Sequence, residues 1–269
     1  MKHFFGSVFK HHTTEEAEKI FIAGTKETTP SPDDISDDWQ RPWLFSRVLV
    51  FFGIVVGLLY FLSTTLGEES GEKAIPSFIV FGAIAVPFSG IIFFFETNSY
   101  RNISIYKTLQ IFLIGGALSL IVTLLIDEII PQAPSYGDYL TFLNALETGF
   151  AEEIAKFLIA IYFAQRFKVK HILEAILVGA SVGGGFATME TAGYVYASLF
   201  EKNGSVVQTL LVRAFLAPGG HLVWAAISLG GLYLVSPKVK HSLEDFVNPK
   251  SLIMKIGGRT KSMLWKQSM

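Results

Sequence analysis

An all-α polytopic membrane protein of about six transmembrane helices is the fold the sequence predicts, and three observations predict it. Apolar runs long enough to cross a hydrocarbon core of ~30 Å recur from Trp43 onward, separated by polar breaks. Hydrophobic residues make up 51% of the chain, with 24 Phe and a mean hydropathy of +0.45, against 17% charged residues; these values lie outside the soluble range. Basic residues are dense in alternate loops and sparse in the others, as a multi-pass topology requires.

The composition also excludes functions. Net charge is -1 over 269 residues, so no global basic field exists to attract nucleic acid. Cysteine is absent, which removes disulfides, thiolate metal sites and a cysteine nucleophile. The start, "MKHFFGSVFKHHTTEEAEKIF", lacks the apolar core and cleavage site of a signal peptide, so targeting is expected to rest on the first internal hydrophobic segment.

Residues 1–42 read as a polar cytoplasmic arm and linker. Thr13 and Glu16 stand at capping-box spacing before a short helix, and "TTPSPDDISDDWQRP" breaks the pattern with prolines and acidic residues. Residues 43–235 form the membrane domain, with spans expected at 43–66, 74–96, 106–126, 138–164, 171–200 and 206–235. The last is longer than one crossing needs and contains "LAPGGHL", so it is expected to break at Pro218–Gly220 into two half-helices. Residues 236–269 are a basic tail suited to solvent or to an anionic inner leaflet.

Lys2, Lys10, Lys19, Lys26 and Arg41 weight the arm, Arg101 and Lys107 the second loop, Arg166, Lys168 and Lys170 the fourth. The first loop holds only Lys73, the third no basic residue and the fifth only Lys202, so both termini are expected in the cytoplasm.

Ionisable residues at membrane depth are the candidate functional groups, because each costs about 2.5–3.5 kcal/mol at a helix centre. "FAEEIAKFLIAIYF" carries Glu152, Glu153 and Lys156 in the fourth span. Glu152 and Lys156 are four apart and share a face, which predicts an ion pair, while Glu153 is turned by about 100° from Glu152. The fifth span carries Glu190 after Gly179 and Gly183, whose spacing permits close helix contact. The sixth carries His221 directly after the Pro-Gly-Gly stretch, and Arg213 before it, which is expected either to reach the interface or to pair with an acid such as Glu201.

A histidine with several carboxylates, and no serine or cysteine triad, suits activation of water by a carboxylate base. His221 or backbone N–H groups freed at the break would then stabilise a tetrahedral oxyanion. Glu190 and His221 are also acceptable zinc ligands, but there is no HExxH helix and only one intramembrane histidine, so no cofactor is expected.

"EEIAK" at 152–156, "FATME" at 186–190 and the histidine of "GGHLVWAAISLGG" resemble, in order and on successive helices, the EExxK, FxxxE and His motifs of the PrsW family of bacterial intramembrane proteases, relatives of the CAAX- and bacteriocin-processing proteases. The resemblance covers about 43–235 and implies a glutamate-type endopeptidase of the bacterial inner membrane acting on a membrane-tethered protein, such as an anti-sigma factor. It implies Glu152 as base, Glu153 as its partner, Glu190 and His221 as the rest of the catalytic set, and Lys156 and Phe186 as supporting residues. Thr191 stands where many relatives are expected to have asparagine. Two other classes fit intramembrane Glu, Lys and His: a proton-coupled transporter and a non-catalytic membrane scaffold. Oligomeric state has no signature in the sequence.

Overall fold

The computed structural model describes residues 5–31, 40–130, 142–202 and 204–235. The basic tail at 236–269, the middle of the linker and the expected start of the fourth span at 138 lie outside the described residues. Among those described, every regular element is a helix.

The arm folds as α1 (Thr14–Phe21), and its capping box forms: Thr13 Oγ1 accepts from the Glu16 N–H at 3.2 Å, and the Glu16 carboxylate accepts from the Thr13 N–H at 3.1 Å. After α1 the chain docks on the bundle. Gly24 donates its N–H to the Arg101 carbonyl at 2.8 Å. With φ +87 and Ser104 against it, Gly24 occupies a position that a side chain would fill. The Arg101 guanidinium in turn donates to the carbonyls of Lys19 and Ile22.

α2 (Leu44–Thr65) and α3 (Glu68–Thr97) form a hairpin. At ~1.5 Å per residue the 22 residues of α2 cover about 33 Å, enough to cross a bilayer. Trp43 gives α2 no side-chain cap. Glu96, near the end of α3, supplies one: its carboxylate accepts from the N–H groups of Trp43, Leu44 and Phe45 at 2.9, 2.9 and 2.8 Å. Beyond α3, α2 leaves Val50, Phe51, Ile54, Leu58 and Phe61 exposed, as a lipid-facing helix would.

The third span is a composite of α4 (Ile105–Gln110), a π-helical turn (Ile111–Gly115) and α5 (Gly116–Ile129). The turn's wider winding lies where Gly116 meets Gly185 backbone to backbone; a Cβ on either residue would overlap the other strand of the contact. α6 (Phe142–Arg166), α7 (Ile172–Ala197) and α8 (Val206–Val235) complete the bundle. α7 is the central helix, packed against α3, the π turn and α5, α6 and α8. Its buried Glu174 ties its N-terminal end to the rest of that face, accepting from Asn102 Nδ2 and from the Lys170 N–H.

Among the described residues, five helices are both long and apolar enough to cross a membrane: α2, α3, the α4–α5 composite, α7 and α8. α6 is as long as the others at 25 residues but carries too many charges to join them on composition. The sixth crossing thus depends on how those charges are paired.

The expected break in the last span does not form. α8 is helical from Val206 to Val235, through Pro218, Gly219 and Gly220. A proline removes one N–H, and an intramembrane helix flanked by packed neighbours absorbs that loss without ending. Consequently no pair of half-helix termini points into the bundle.

Candidate active site

Glu152 lies ten residues into α6, Glu190 seven before the end of α7, and His221 fifteen into α8. At ~1.5 Å per residue these are depths of about 15, 10 and 22 Å from the same end of the bundle. The three helices bring one ligand-type atom from each of these residues within 4.8 Å of one another.

The approach of α8 to α7 is set by small residues. A Cβ on Gly179 would collide with the backbone of Ala225, and one on Gly183 with the carbonyl of His221 itself. The GxxxG spacing therefore does more than pack two helices; it seats the backbone that carries the imidazole.

Lys156 is fully buried. Its Nζ lies 2.6 Å from Glu153 Oε1, 2.6 Å from His221 Nδ1, 3.6 Å from Glu152 Oε2 and 4.4 Å from the centroid of the Phe186 ring. The expected ion pair of Lys156 with Glu152 is present at 3.6 Å, and Lys156 also takes Glu153, three residues back, at the shorter distance of 2.6 Å. Phe186, 1% exposed, offers its face to the ammonium and stands 5.1 Å, centroid to centroid, from the imidazole.

The lysine bears on the tautomer of the histidine: an ammonium only donates, so with Lys156 charged Nδ1 is the acceptor and the ring proton lies on Nε2. That nitrogen lies 3.0 Å from Glu190 Oε2. Glu152 Oε2 lies 3.5 Å from Nδ1. With side-chain exposures of 13% for Glu152 and 38% for Glu153, both carboxylates reach an open side of the cluster.

Arg213 is the residue that sequence reasoning left undecided between the interface and an acidic partner; it pairs with an acid, and that acid is Glu190 rather than Glu201. Its Nη2 lies 2.6 Å from Glu190 Oε2, and its guanidinium sits 3.9 Å above the ring of Tyr194. Glu190 and Tyr194 are four apart on one helical face, an acid beside a ring, and that pairing was a legible signal for a guanidinium. Thr191 is buried on α7.

Glu152, Glu190 and His221 match a divalent metal in donor number and span. In the tautomer that accepts from Lys156, the one unprotonated nitrogen of a neutral His221 is occupied, so a metal at these residues would have to displace Lys156 from Nδ1 or take the place of the proton at Nε2.

Comparison with known proteins points to one family. The family described as PrsW family intramembrane metalloprotease matches residues 105–247. A protein named Protease PrsW from Halalkalibacterium halodurans is 28% identical over 163 residues, covering 59% of this chain and 69% of its own length. One of the same name from Bacillus subtilis is 27% identical over 159 residues, covering 58% of this chain and 67% of its own length. No solved structure matches the chain.

Proposed function

Because the chain belongs to the PrsW family of intramembrane proteases, we propose that it hydrolyses a peptide bond of a membrane-tethered protein with water activated by Glu152. The observation that carries this reading is the asymmetry between the two adjacent glutamates. Glu153 is held at 2.6 Å by Lys156, whereas the Glu152 contacts are 3.5 and 3.6 Å, too long to spend its lone pairs. Glu152 is thus the carboxylate available to take a proton from water.

The remaining roles follow from position. Glu153 anchors Lys156, whose positive charge offsets both glutamates and orients His221 through Nδ1. With α8 unbroken, the donor for a developing oxyanion comes from a side chain, Arg213 Nε, a buried donor without a hydrogen-bond partner among the described residues, while His221 Nε2 faces Glu190. Glu190 holds both of them in place. As the hydroxide oxygen bonds to the scissile carbon and the C–N bond breaks, Glu152 gives the proton it took from water to the leaving nitrogen, so that the amine and carboxylic acid products depart with Glu152 ionised again. No step uses a metal.

The setting is the bacterial inner membrane with both termini in the cytoplasm, supported by the loop charges. That puts the carboxylates toward the outer half of the bilayer, where the tether of an exported domain passes. An anti-sigma factor is the kind of substrate the family resemblance offers.

The test compares membrane and shed fractions from cells making wild type or the Glu152→Gln, Glu153→Gln double variant at equal level. A membrane protein that loses its outer domain only with wild type is the expected result. Identical profiles would remove the proteolytic reading and direct attention to proton-coupled flux in liposomes.

A further inference from the structure

The face opposite the carboxylate cluster contains a cavity of about 240 Å³, where the arm meets the ends of α2 and α3. That is roughly eight times the ~30 Å³ occupied by a molecule of liquid water, so it suits a group of several heavy atoms. Lys19, Arg41 and Arg101 line it, with Trp43, Glu96 and Asn98.

Three cations face one carboxylate, and that carboxylate is engaged by three backbone N–H groups. Arg41 has no partner among the described residues. Arg101 uses Nη2 on the arm carbonyls, and Lys19 pairs at 2.8 Å with Glu15, at an exposed position open to exchange. The cavity therefore favours an anion.

Asn98 refines the class. It is 3% exposed, and its Oδ1 has no hydrogen-bond partner among the described residues. A buried acceptor without a donor is costly, so the occupant should supply one. Depth supplies the third constraint. Trp43 directly precedes α2, and Asn98 directly follows α3, so the cavity lies where two spans emerge, at the level that tryptophan favours beside lipid headgroups.

We propose that this cavity binds a phosphodiester group bearing a hydroxyl or primary amine, as presented by the headgroup of an anionic phospholipid. The phosphate meets Arg41, Arg101 and Lys19, and the hydroxyl or amine donates to Asn98 Oδ1. Because α1 and the α2–α3 hairpin both contribute, the bound headgroup clamps the arm to the bundle. This assignment is independent of the proteolytic reading.

Thermal unfolding of the purified full-length chain in neutral detergent, followed by tryptophan fluorescence, tests it. Phosphatidylglycerol is expected to raise the melting temperature saturably, and phosphatidylcholine, which has neither net charge nor a donor, is expected not to. Arg41→Gln removes one charged hydrogen bond from a residue with no structural partner, so it should weaken the half-saturating concentration roughly tenfold. Lys26→Gln, on the same arm but outside the cavity, should leave it unchanged. Equal effects of the two lipids, or equal losses from the two substitutions, would overturn the proposal. Glycerol 1-phosphate forms the third arm: an Arg41-dependent shift with it alone assigns the site to a soluble phosphate ester, and a shift requiring the lipid assigns it to the membrane.

Discussion

Replacing Gly183 with alanine tests whether the α7–α8 seam positions the imidazole. The added Cβ would lie 2.8 Å from the carbonyl carbon of His221 and 2.8 Å from the Cβ of Ala225, and closer still to the His221 carbonyl oxygen. Ordinary carbon contacts need about 3.5 Å, so α8 must retreat by about 0.7 Å at the carbons and about 1 Å overall. Overpacking of that size costs about 1–3 kcal/mol, which leaves a folded protein with a lowered melting temperature. The effect on chemistry should be larger than that loss suggests. His221 would move against both Lys156 at 2.6 Å and Glu190 at 3.0 Å, and misplacement of a catalytic constellation by ~1 Å can lower a rate about 100-fold. The assay is cleavage of the shed membrane protein by purified enzyme in detergent, with Gly219→Ala as control, since a Cβ there meets nothing within 4 Å. A folded Gly183→Ala enzyme cleaving within about twofold of wild type would refute the idea that the glycine seam seats His221.

Lys156→Met leaves two carboxylates and a histidine nitrogen without their buried cation, so equilibrium unfolding in urea should show a loss of about 3–5 kcal/mol along with loss of cleavage. Dialysis against a chelator should leave cleavage intact; activity lost and then restored by zinc would make Glu152, Glu190 and His221 metal ligands. The Glu16 carboxyl is held below its ordinary value by the Thr13 N–H and by His12. The helix-capping contribution of that carboxylate is therefore complete above the ordinary carboxylate range and disappears as pH falls through the lowered value. Hydrogen exchange of the α1 amides should accelerate across that acid window in wild type, and Glu16→Gln should show no such step.

The helices were legible because each span repeats the same apolar signal, and Glu152, Glu153, Glu190 and His221 were legible because charge is rare at that depth. What the sequence did not reveal was who pairs with whom. Spacing along one helix gave the Glu152–Lys156 pair, but not that the lysine also meets Glu153 at 2.6 Å and His221, 65 positions away. Arg213 finds Glu190 across two helices, a contact that no single-helix periodicity encodes. Pro218 was misleading for the opposite reason. A local breaking tendency is real, yet α8 stays helical through it, packed along its length on α7, α3 and α6. The π turn at Ile111–Gly115 reflects the contact of Gly116 with Gly185, and only the partner helix reveals why the winding changes there.

The charge placement on α6 has a consequence for how the protein is made. In its first two-thirds that helix holds Glu147, Glu152 and Glu153 with Lys156, Arg166 lying in its last turn, while Arg213 and His221, which complete the cluster, are translated later in α8. A segment emerging from the ribosome with three carboxylates and one ammonium faces about 2.5–3.5 kcal/mol of insertion cost for each charge near its centre. Its stable residence in the lipid therefore waits for two helices not yet synthesised, and α6, α7 and α8 must enter the bilayer as one unit. Biogenesis and catalysis then share the same residues: a substitution that unbalances the cluster would lower the yield of inserted protein as well as the activity of what is inserted.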